Sequence, residues 1–372
     1  MLRGTSSNAI SRDKTSKNKT LVDARRHTIR MSHLEPLCDH CKHVELDVRK
    51  LGAMQSEEWD LGLKTRVLAS KCPLCQLVTL ALYEDNRLLR LRIPAGNVIG
   101  NISLLWDNQM SQNAGLGAFR VGDTEAVWLC FSGTSEYCDE MPEGSGPFFI
   151  SDTPGGIDPK IIASWIHSCA AEHQECQVLP CPRTFELAFP GLEVLRLIDV
   201  YSMCIVEVRE IPRYACLSYV WGSATCMRLT SSTLPELLKV GALCTIPDGM
   251  LPRTILDAIK FSKKVAMRYL WVDAWCLLQN DQEDLRRGVT VMDNIYEFSE
   301  FTIVAAEGHD ANNGLPGVLP CTRATATAVE VLPGVSIGLW TELDRLLHST
   351  MYETRGWTCV LSFGGRETSV HG

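Results

Sequence analysis

Two cysteine doublets near the start of the chain have the spacing of a metal site. Cys38-x-x-Cys41 is separated from Cys72-x-x-Cys75 by 30 residues. Four thiolates can close a tetrahedral zinc shell, and thiolates favour zinc over magnesium or calcium. We therefore predict a zinc ion with a structural role, because a shell closed by four cysteines leaves no position open for a substrate.

Two alternatives to this ligand set remain open. His40 or His43 could replace one of the four thiols as a ligand. The cysteines could instead be reduced residues of an apolar core, with Cys72 and Cys75 on a helix. The doublet spacing favours a metal site over the apolar core.

A second group of candidate ligands lies on one predicted helix, at residues 160–176. Cys169, His173 and Cys176 are four and three residues apart, so they share one helix face. These residues could bind a metal ion. We favour a buried helix face, because cysteine is among the residue types that are most often buried.

Three short apolar runs could bring polar residues together at one edge of a sheet. The runs cover residues 214–220, 269–272 and 301–306, and helical patterns lie between them at 252–266 and 282–298. This alternation of strands and helices predicts a parallel sheet with right-handed crossovers. Sheets of this kind bind ligands at the carboxyl ends of their strands.

The residues after these strands could form a pocket for a nucleotide-like ligand. Trp221 could stack on a base, and Asp273 could bind ribose hydroxyls. Glu307 could act as an acid or base, or stabilise an oxocarbenium-like transition state. Glu307 and Asp273 are therefore the catalytic candidates. The ligand-binding candidates are Ser218, Trp221, Gly222, Asp273 and Gln279.

A structural interpretation of the same region competes with this pocket. Gly222 could serve a turn rather than cradle a phosphate. The acidic residues at 281–284 fit the start of a helix, because the helix dipole favours negative charge there. Cys276 and His309 could also form a nucleophile and base pair, but nothing in the sequence forces their contact.

The pattern along the chain predicts four regions. They are a disordered basic tail at 1–33, a Cys-rich zinc module at 34–95, an α+β region at 96–200 with a linker near 144–159, and a last domain at 201–372. The alternative for the tail is a mitochondrial presequence, since the tail is rich in arginine and serine and poor in acidic residues.

Composition and charge disfavour several classes of protein. The 372 residues carry a net charge of −8, and basic residues concentrate in the tail, so the remainder is more acidic still. An acidic body disfavours nucleic-acid binding, and with it a zinc-dependent DNA-binding regulator. The sequence contains no run of about 18 apolar residues and no secretory signal, so we expect no membrane span. We expect a cytoplasmic protein whose 16 cysteines are reduced, with nucleus or mitochondrion as alternatives.

Residues 214–357 resemble the core of a fungal heterokaryon-incompatibility (HET) domain. The motifs that carry the resemblance occur in the family's order. They are Leu217-Ser-Tyr-Val-Trp-Gly222, Pro252-Arg-Thr-Ile-Leu-Asp-Ala258, Tyr269-Leu-Trp-Val-Asp-Ala-Trp-Cys-Leu-Leu-Gln279, Gly314-Leu-Pro316 and Thr354-Arg-Gly-Trp-Thr358. Paired cysteine doublets upstream are also typical of such proteins. The usual Gln-Glu pair does not follow the last motif, where this chain has Cys359-Val360, which suggests a truncated C-terminal region.

The resemblance implies a role in fungal nonself recognition, in which incompatible partners trigger programmed cell death. It also implies a fold like that of Toll/interleukin-receptor (TIR) domains, a doubly wound parallel sheet, here joined to the N-terminal Cys-rich α+β module. We predict an interaction and signalling module that self-associates or binds HET-type partners, and binds neither nucleic acid nor membrane. Some TIR domains cleave NAD, so the alternative is an NAD-cleaving hydrolase.

Overall fold

The computed structural model places the helices and strands of the chain in two compact units. The predicted tail at 1–33, most of the predicted linker at 144–159, and both His173 and Cys176 lie outside the residues that it describes. No helix of the described part is long and apolar enough to cross a bilayer. The described residues are 37–51, 54, 56–88, 100–107, 117–125, 127–133, 156–172, 184–224, 226–323, 328–332, 335–341, 343–348 and 350–352.

The described residues form eleven strands and eleven α-helices. In chain order the strands are β1 (Ser56–Leu63), β2 (Asn101–Asp107), β3 (Ala118–Val121), β4 (Trp128–Gly133), β5 (Leu195–Asp199), β6 (Cys204–Val208), β7 (Tyr214–Tyr219), β8 (Tyr269–Trp271), β9 (Phe301–Ala305), β10 (Ala328–Leu332) and β11 (Val335–Trp340). The helices are α1 (Val48–Leu51), α2 (Lys64–Ala69), α3 (Pro73–Leu88), α4 (Pro159–Glu172), α5 (Phe185–Ala188), α6 (Leu234–Leu237), α7 (Arg253–Lys264), α8 (Asp273–Cys276), α9 (Gln282–Thr290), α10 (Met292–Glu297) and α11 (Leu343–His348).

The first unit is built on an antiparallel sheet. Its six described strands have the spatial order β1-β2-β3-β4-β11-β10. The unit also contains α1, α2 and most of α3. Strands β10 and β11 come from a late part of the chain; β11 pairs with β4 and β10 pairs with β11, so this sheet combines distant segments.

An aromatic cluster is buried on the sheet of the first unit. The ring centroids of Trp106, Phe119 and Phe131 lie 4.9 to 5.9 Å apart. The indole Nε1 of Trp106 donates to the carbonyl oxygen of Leu51 at the end of α1 (3.1 Å). The buried carboxylate of Asp85 on α3 accepts two backbone N–H groups between β3 and β4 (2.9 and 3.2 Å). These bonds attach α1 and α3 to the sheet.

The second unit contains the predicted parallel strands at one side of a mixed sheet. Its five described strands have the order β6-β5-β8-β7-β9. Strand β7 pairs in parallel with β8 on one side and with β9 on the other, which confirms the parallel arrangement of the three predicted strands. Strand β5 pairs antiparallel with both β6 and β8, so the predicted TIR-like, doubly wound parallel sheet is not confirmed for the sheet as a whole. A short connection joins β5 to β6, and short connections allow only antiparallel pairing.

Helices cover both faces of this sheet. On one face, Ile255 and Ala258 of α7 pack with Ala215 and Leu217 of β7. On the other face, residues of α8 and α10 pack with Tyr214 and Cys216 of the same strand. Successive side chains of a strand point to opposite faces, so these two sets of contacts bury both faces of β7.

Two predicted helices end or break earlier than their patterns suggest. The predicted helix at 282–298 is divided into α9 and α10, because Val291 has a non-helical backbone conformation. The predicted apolar face of α7 includes Ile255, Ala258, Ile259 and Ser262, which are buried. It does not include Ala266, which is exposed, lies beyond the helix end and has a positive φ of 59°. The four regions predicted from the sequence stay predictions.

A buried carboxylate holds the end of β5 in place. The Asp199 side chain is 2% exposed, and it accepts hydrogen bonds from the backbone N–H groups of Tyr201 and Ser202 (3.0 and 2.9 Å). It also accepts two bonds from the Arg268 guanidinium (3.0 and 2.9 Å). Burial alone would raise the pKa of Asp199, but these donors outweigh it and hold that pKa below its usual value.

Asp199→Asn should destabilise the second unit at neutral pH by roughly 2 kcal/mol, because charge-assisted hydrogen bonds are lost in a buried position. A lowered pKa in the folded state stabilises the fold above about pH 4, and this contribution disappears as the pH falls through the folded pKa. The difference from wild type should therefore narrow below about pH 4. Hydrogen exchange of β5 peptides at neutral pH and below about pH 4 measures this difference in stability. Asp248→Asn, at an exposed position, is the control. An equal difference at both pH values would contradict the assignment.

Candidate functional site

The four predicted zinc ligands lie together in the first unit. The sulfur atoms of Cys38, Cys41, Cys72 and Cys75, here called the cysteine cluster, are all within 4.8 Å of one another. Three of the four residues are buried, and Cys38 is half-buried. The described part of the chain contains no other comparable group of cysteine, histidine or carboxylate side chains.

Local backbone structure brings both doublets to the same point. The first doublet lies on a turn that ends in a short 3-10 helix, Cys41–His43, where the Lys42 N–H donates to the Cys38 carbonyl oxygen (3.0 Å). The second doublet lies at the start of α3, where the N–H of Gln76 donates to the Cys72 carbonyl oxygen (2.9 Å). Each doublet therefore turns its two sulfurs toward one side.

The distances between sulfurs fit a tetrahedral metal centre better than disulfides. Sulfurs bound to one zinc ion at about 2.3 Å would lie about 3.8 Å apart in a tetrahedron. The Cys38–Cys75 and Cys41–Cys75 sulfur distances are 3.8 and 3.5 Å. A disulfide would require about 2.05 Å. The hydrogen bond shared by Cys41 and Cys75 lowers the pKa of the Cys75 thiol and raises the pKa of the Cys41 thiol, so within this pair it favours the thiolate form at Cys75 alone.

The histidine alternatives do not join the cluster. His40 and His43 are both exposed, and the described group of candidate ligands consists of cysteines alone. The His40 ring lies beside Gly62 at the end of β1, where its atoms come within 3.2 Å of a β-carbon added to that glycine. The four-thiol set is therefore the one that the geometry supports. In the second predicted group, Cys169 is half-buried on α4, and His173 and Cys176 lie outside the described residues.

The carboxyl ends of β7 and β8 bring Trp221 and Asp273 together. The Trp221 Nε1 donates to Oδ2 of Asp273 (2.9 Å), and the backbone N–H of Ala274 donates to Oδ1 (2.7 Å). Burial and the nearby Asp273 carboxylate raise the pKa of Tyr219 above its usual range. The Arg228 guanidinium lies 4.6 Å from the centre of the Trp221 ring. Both predicted ligand groups therefore make contacts within the protein itself.

Two other predicted ligand-binding residues also bond within the fold. Ser218 is buried, and its Oγ is 2.7 Å from the hydroxyl of Tyr352. The Gln279 Nε2 donates to the backbone oxygens of Asp273 and Leu277 (both 3.1 Å). The Gln279 bonds hold the turn after β8, and the contacts of both side chains favour a structural role for them.

Gly222 lies where another segment of backbone passes. Its φ is 60°, and an added β-carbon would lie 2.4 Å from Cβ of Asp310 and 2.7 Å from the carbonyl oxygen of His309. The backbone N–H of Ala311 also donates to the Trp221 carbonyl oxygen (3.2 Å). The loop after β9 therefore occupies the space beside this glycine, where a phosphate would have to bind.

The remaining candidates are spread over buried and exposed positions. Glu307 and His309 are both exposed in the loop after β9. Cys276 is 1% exposed, and its sulfur accepts a hydrogen bond from the backbone N–H of Val272 (3.2 Å). Burial raises the pKa of the Cys276 thiol to about 12, which is the opposite of what a nucleophile requires. Glu307 and Asp273 stay predictions as catalytic groups.

Several residues at these two places carry no recognisable sequence signal. Arg66 on α2 lies beside the cysteine cluster, with Nη1 3.4 Å from the Cys38 sulfur. Arg228 and Tyr352 contact Trp221 and Ser218, respectively. All three are single residues outside any spaced pattern, so only the folded chain reveals their positions.

The comparison with protein families agrees with the motifs of the second unit. The sequence model of the family described as Heterokaryon incompatibility protein (HET) matches residues 214–360. These residues form a HET domain. The match begins at the first residue of β7 and includes β8, β9 and the helices between them. It also includes β10 and β11, which belong to the sheet of the first unit. Comparisons with curated proteins and with solved structures give no match.

Gly222→Ala tests whether close backbone packing fixes this position of the HET domain. The added methyl group should destabilise the fold by about 1–3 kcal/mol through overpacking, beyond the cost of its positive φ. Gly249→Ala is the matched control, because Gly249 has a φ of 81° and nothing within 4 Å of an added β-carbon. Thermal unfolding of both variants measures the difference. Equal losses would show that the contact with the loop after β9 contributes nothing.

Proposed function

We propose that this HET-domain chain acts in nonself recognition in a fungus. In this proposal it is an interaction module that binds copies of itself or other signalling proteins, and this binding triggers programmed cell death. The observation that carries the proposal is the HET match over residues 214–360, which begins at β7 of the second unit. The partners act through protein surfaces, and neither nucleic acid nor membrane is part of the proposed interaction.

The contacts at the strand ends favour interaction over NAD cleavage. Catalysis by carboxylates requires that they face the reacting bond of a bound substrate. The Asp273 oxygens accept hydrogen bonds from Trp221 and from the Ala274 backbone, and Glu307 is exposed in a loop. The loop after β9 also fills the space at Gly222. These observations support a folded surface with internally bonded polar groups. We propose a cytoplasmic location for this interaction.

Induced expression of the full chain in a filamentous fungus tests the signalling role. The expected result is growth arrest with loss of membrane integrity, accompanied by larger particles in light scattering of the purified protein. Gly222→Ala should reduce killing because it disturbs the HET domain, whereas Gly249→Ala should preserve it. Normal growth of cells that contain the folded wild-type protein would contradict the proposal.

Glu307→Ala separates signalling from NAD cleavage in the same cells. Glu307 is exposed, so its substitution should leave the fold intact. Under the interaction proposal, the variant kills as the wild type does and cellular NAD stays intact until the cells die. A fall in NAD that precedes death and disappears in Glu307→Ala would establish the hydrolase instead.

A structural zinc ion in the cysteine cluster is the second part of the proposal. The four sulfurs would hold the ion, and its contribution would be a cross-link between the first doublet and the start of α3. The role of the ion would be structural and not catalytic, because a closed shell of four thiolates leaves no position for a substrate. Four thiolate donors also favour zinc over magnesium and calcium.

Elemental analysis of the purified chain tests this assignment. The expected content is one zinc ion per chain, and Cys41→Ser should lower it and increase hydrogen exchange at the start of α3. Cys244→Ser is the matched control, because Cys244 is an exposed cysteine outside the cluster. Equal zinc content in both variants, or no zinc in the wild type, would contradict the proposal.

A further inference from the structure

Arg66 lies against the cysteine cluster. Its Nη1 is 3.4 Å from the Cys38 sulfur and 3.9 Å from the Cys75 sulfur, and its Nη2 is also 3.9 Å from the Cys75 sulfur. Nη2 in addition donates to the carbonyl oxygen of Leu61 at the end of β1. One guanidinium therefore contacts one sulfur from each doublet and is itself anchored to the backbone.

The contact with Arg66 matters because four thiolates that bind a divalent ion would carry negative charge. Four thiolates and one divalent ion carry a net charge of −2, and three of the four cysteines are buried. Buried charge that is not compensated is costly. A fixed cation within hydrogen-bonding distance of two sulfurs lowers that cost, and it orients the sulfurs through N–H donors.

The shape of the side chain explains why an arginine suits this position. A guanidinium has several N–H donors in a fixed plane, so it can serve Cys38, Cys75 and the Leu61 oxygen at once. A lysine would bring the same charge on a flexible stem without the fixed donor geometry. Arg66 also comes from α2, so the contact attaches a third segment to the two doublets.

We propose that Arg66 is a positioning residue of the cysteine cluster, which orients the Cys38 and Cys75 sulfurs and sets the metal affinity of the centre. The inference rests on the zinc proposed above for the same four cysteines. Removing a residue that hydrogen-bonds to a metal ligand typically lowers the metal affinity by about 10–100-fold. The contact predicts an effect of that size for Arg66→Gln.

The test measures zinc affinity by competition with a chelator in the full chain. Arg66→Gln should bind zinc about 10–100-fold more weakly than the wild type. Arg66→Lys keeps the charge and should lose less. Lys71→Gln is the matched control, because it removes a positive charge at an exposed position next to Cys72. It should leave the affinity unchanged.

Cobalt(II) spectra separate positioning from a general loss of stability. N–H donors draw electron density from the sulfurs, so their removal should shift the sulfur-to-cobalt charge-transfer band to lower energy. The shift is expected in Arg66→Gln and in the more conservative Arg66→Lys, and not in Lys71→Gln. Unchanged affinity and spectra in both Arg66 variants would overturn this inference alone. Failure of the wild-type chain to bind zinc or cobalt would overturn the zinc proposal together with it.

Discussion

Strand β7 has to bury both of its faces and pair both of its edges, and the layout of the second unit follows from this demand. All six of its residues are buried. Its neighbours β8 and β9 run parallel to it, and parallel neighbours require long crossover connections. The crossovers supply α7 for one face and α8 to α10 for the other. The three carboxyl ends consequently meet at one edge, where the loop after β9 passes beside Gly222.

This crowding explains why the strand ends bond to one another. Buried polar groups need hydrogen-bond partners, and the nearest partners at this edge belong to the protein. Trp221 therefore bonds to Asp273, and Gln279 bonds to the backbone of its own turn. The loop after β9 passes so close to Gly222 that no side chain fits there. Residue types that would suit a nucleotide pocket also make hydrogen bonds within the protein here, and residue type alone does not distinguish the two uses.

The sequence predicted the parallel core and the cysteine cluster because both depend on local spacing. Apolar runs of strand length marked β7, β8 and β9, and two doublets marked the four sulfurs. The sequence pattern did not predict contacts between segments that are distant in the chain. Nothing local indicated that β10 and β11 would join a sheet with β4. Nothing local indicated either that β5 would pair antiparallel with β8, and β6 antiparallel with β5. The break between α9 and α10 was also missed, because the apolar pattern continues across Val291 while the backbone does not.

The strand ends and the cysteine cluster differ in how well other protein groups provide hydrogen-bond partners for their polar atoms. At the strand ends, each carboxylate oxygen of Asp273 accepts an N–H group, so the carboxylate does not depend on a ligand for hydrogen bonds. The cysteine cluster presents the opposite case. Four thiol groups crowd within 4.8 Å of one another, and sulfur is a weak donor and a weak acceptor toward sulfur. A divalent ion would convert four weak contacts into four strong bonds, and Arg66 already provides positive charge beside them. The weak bonding among the four thiols therefore supports the metal ion proposed for the first unit, and the internally bonded strand ends support the proposed role of the HET domain as an interaction module.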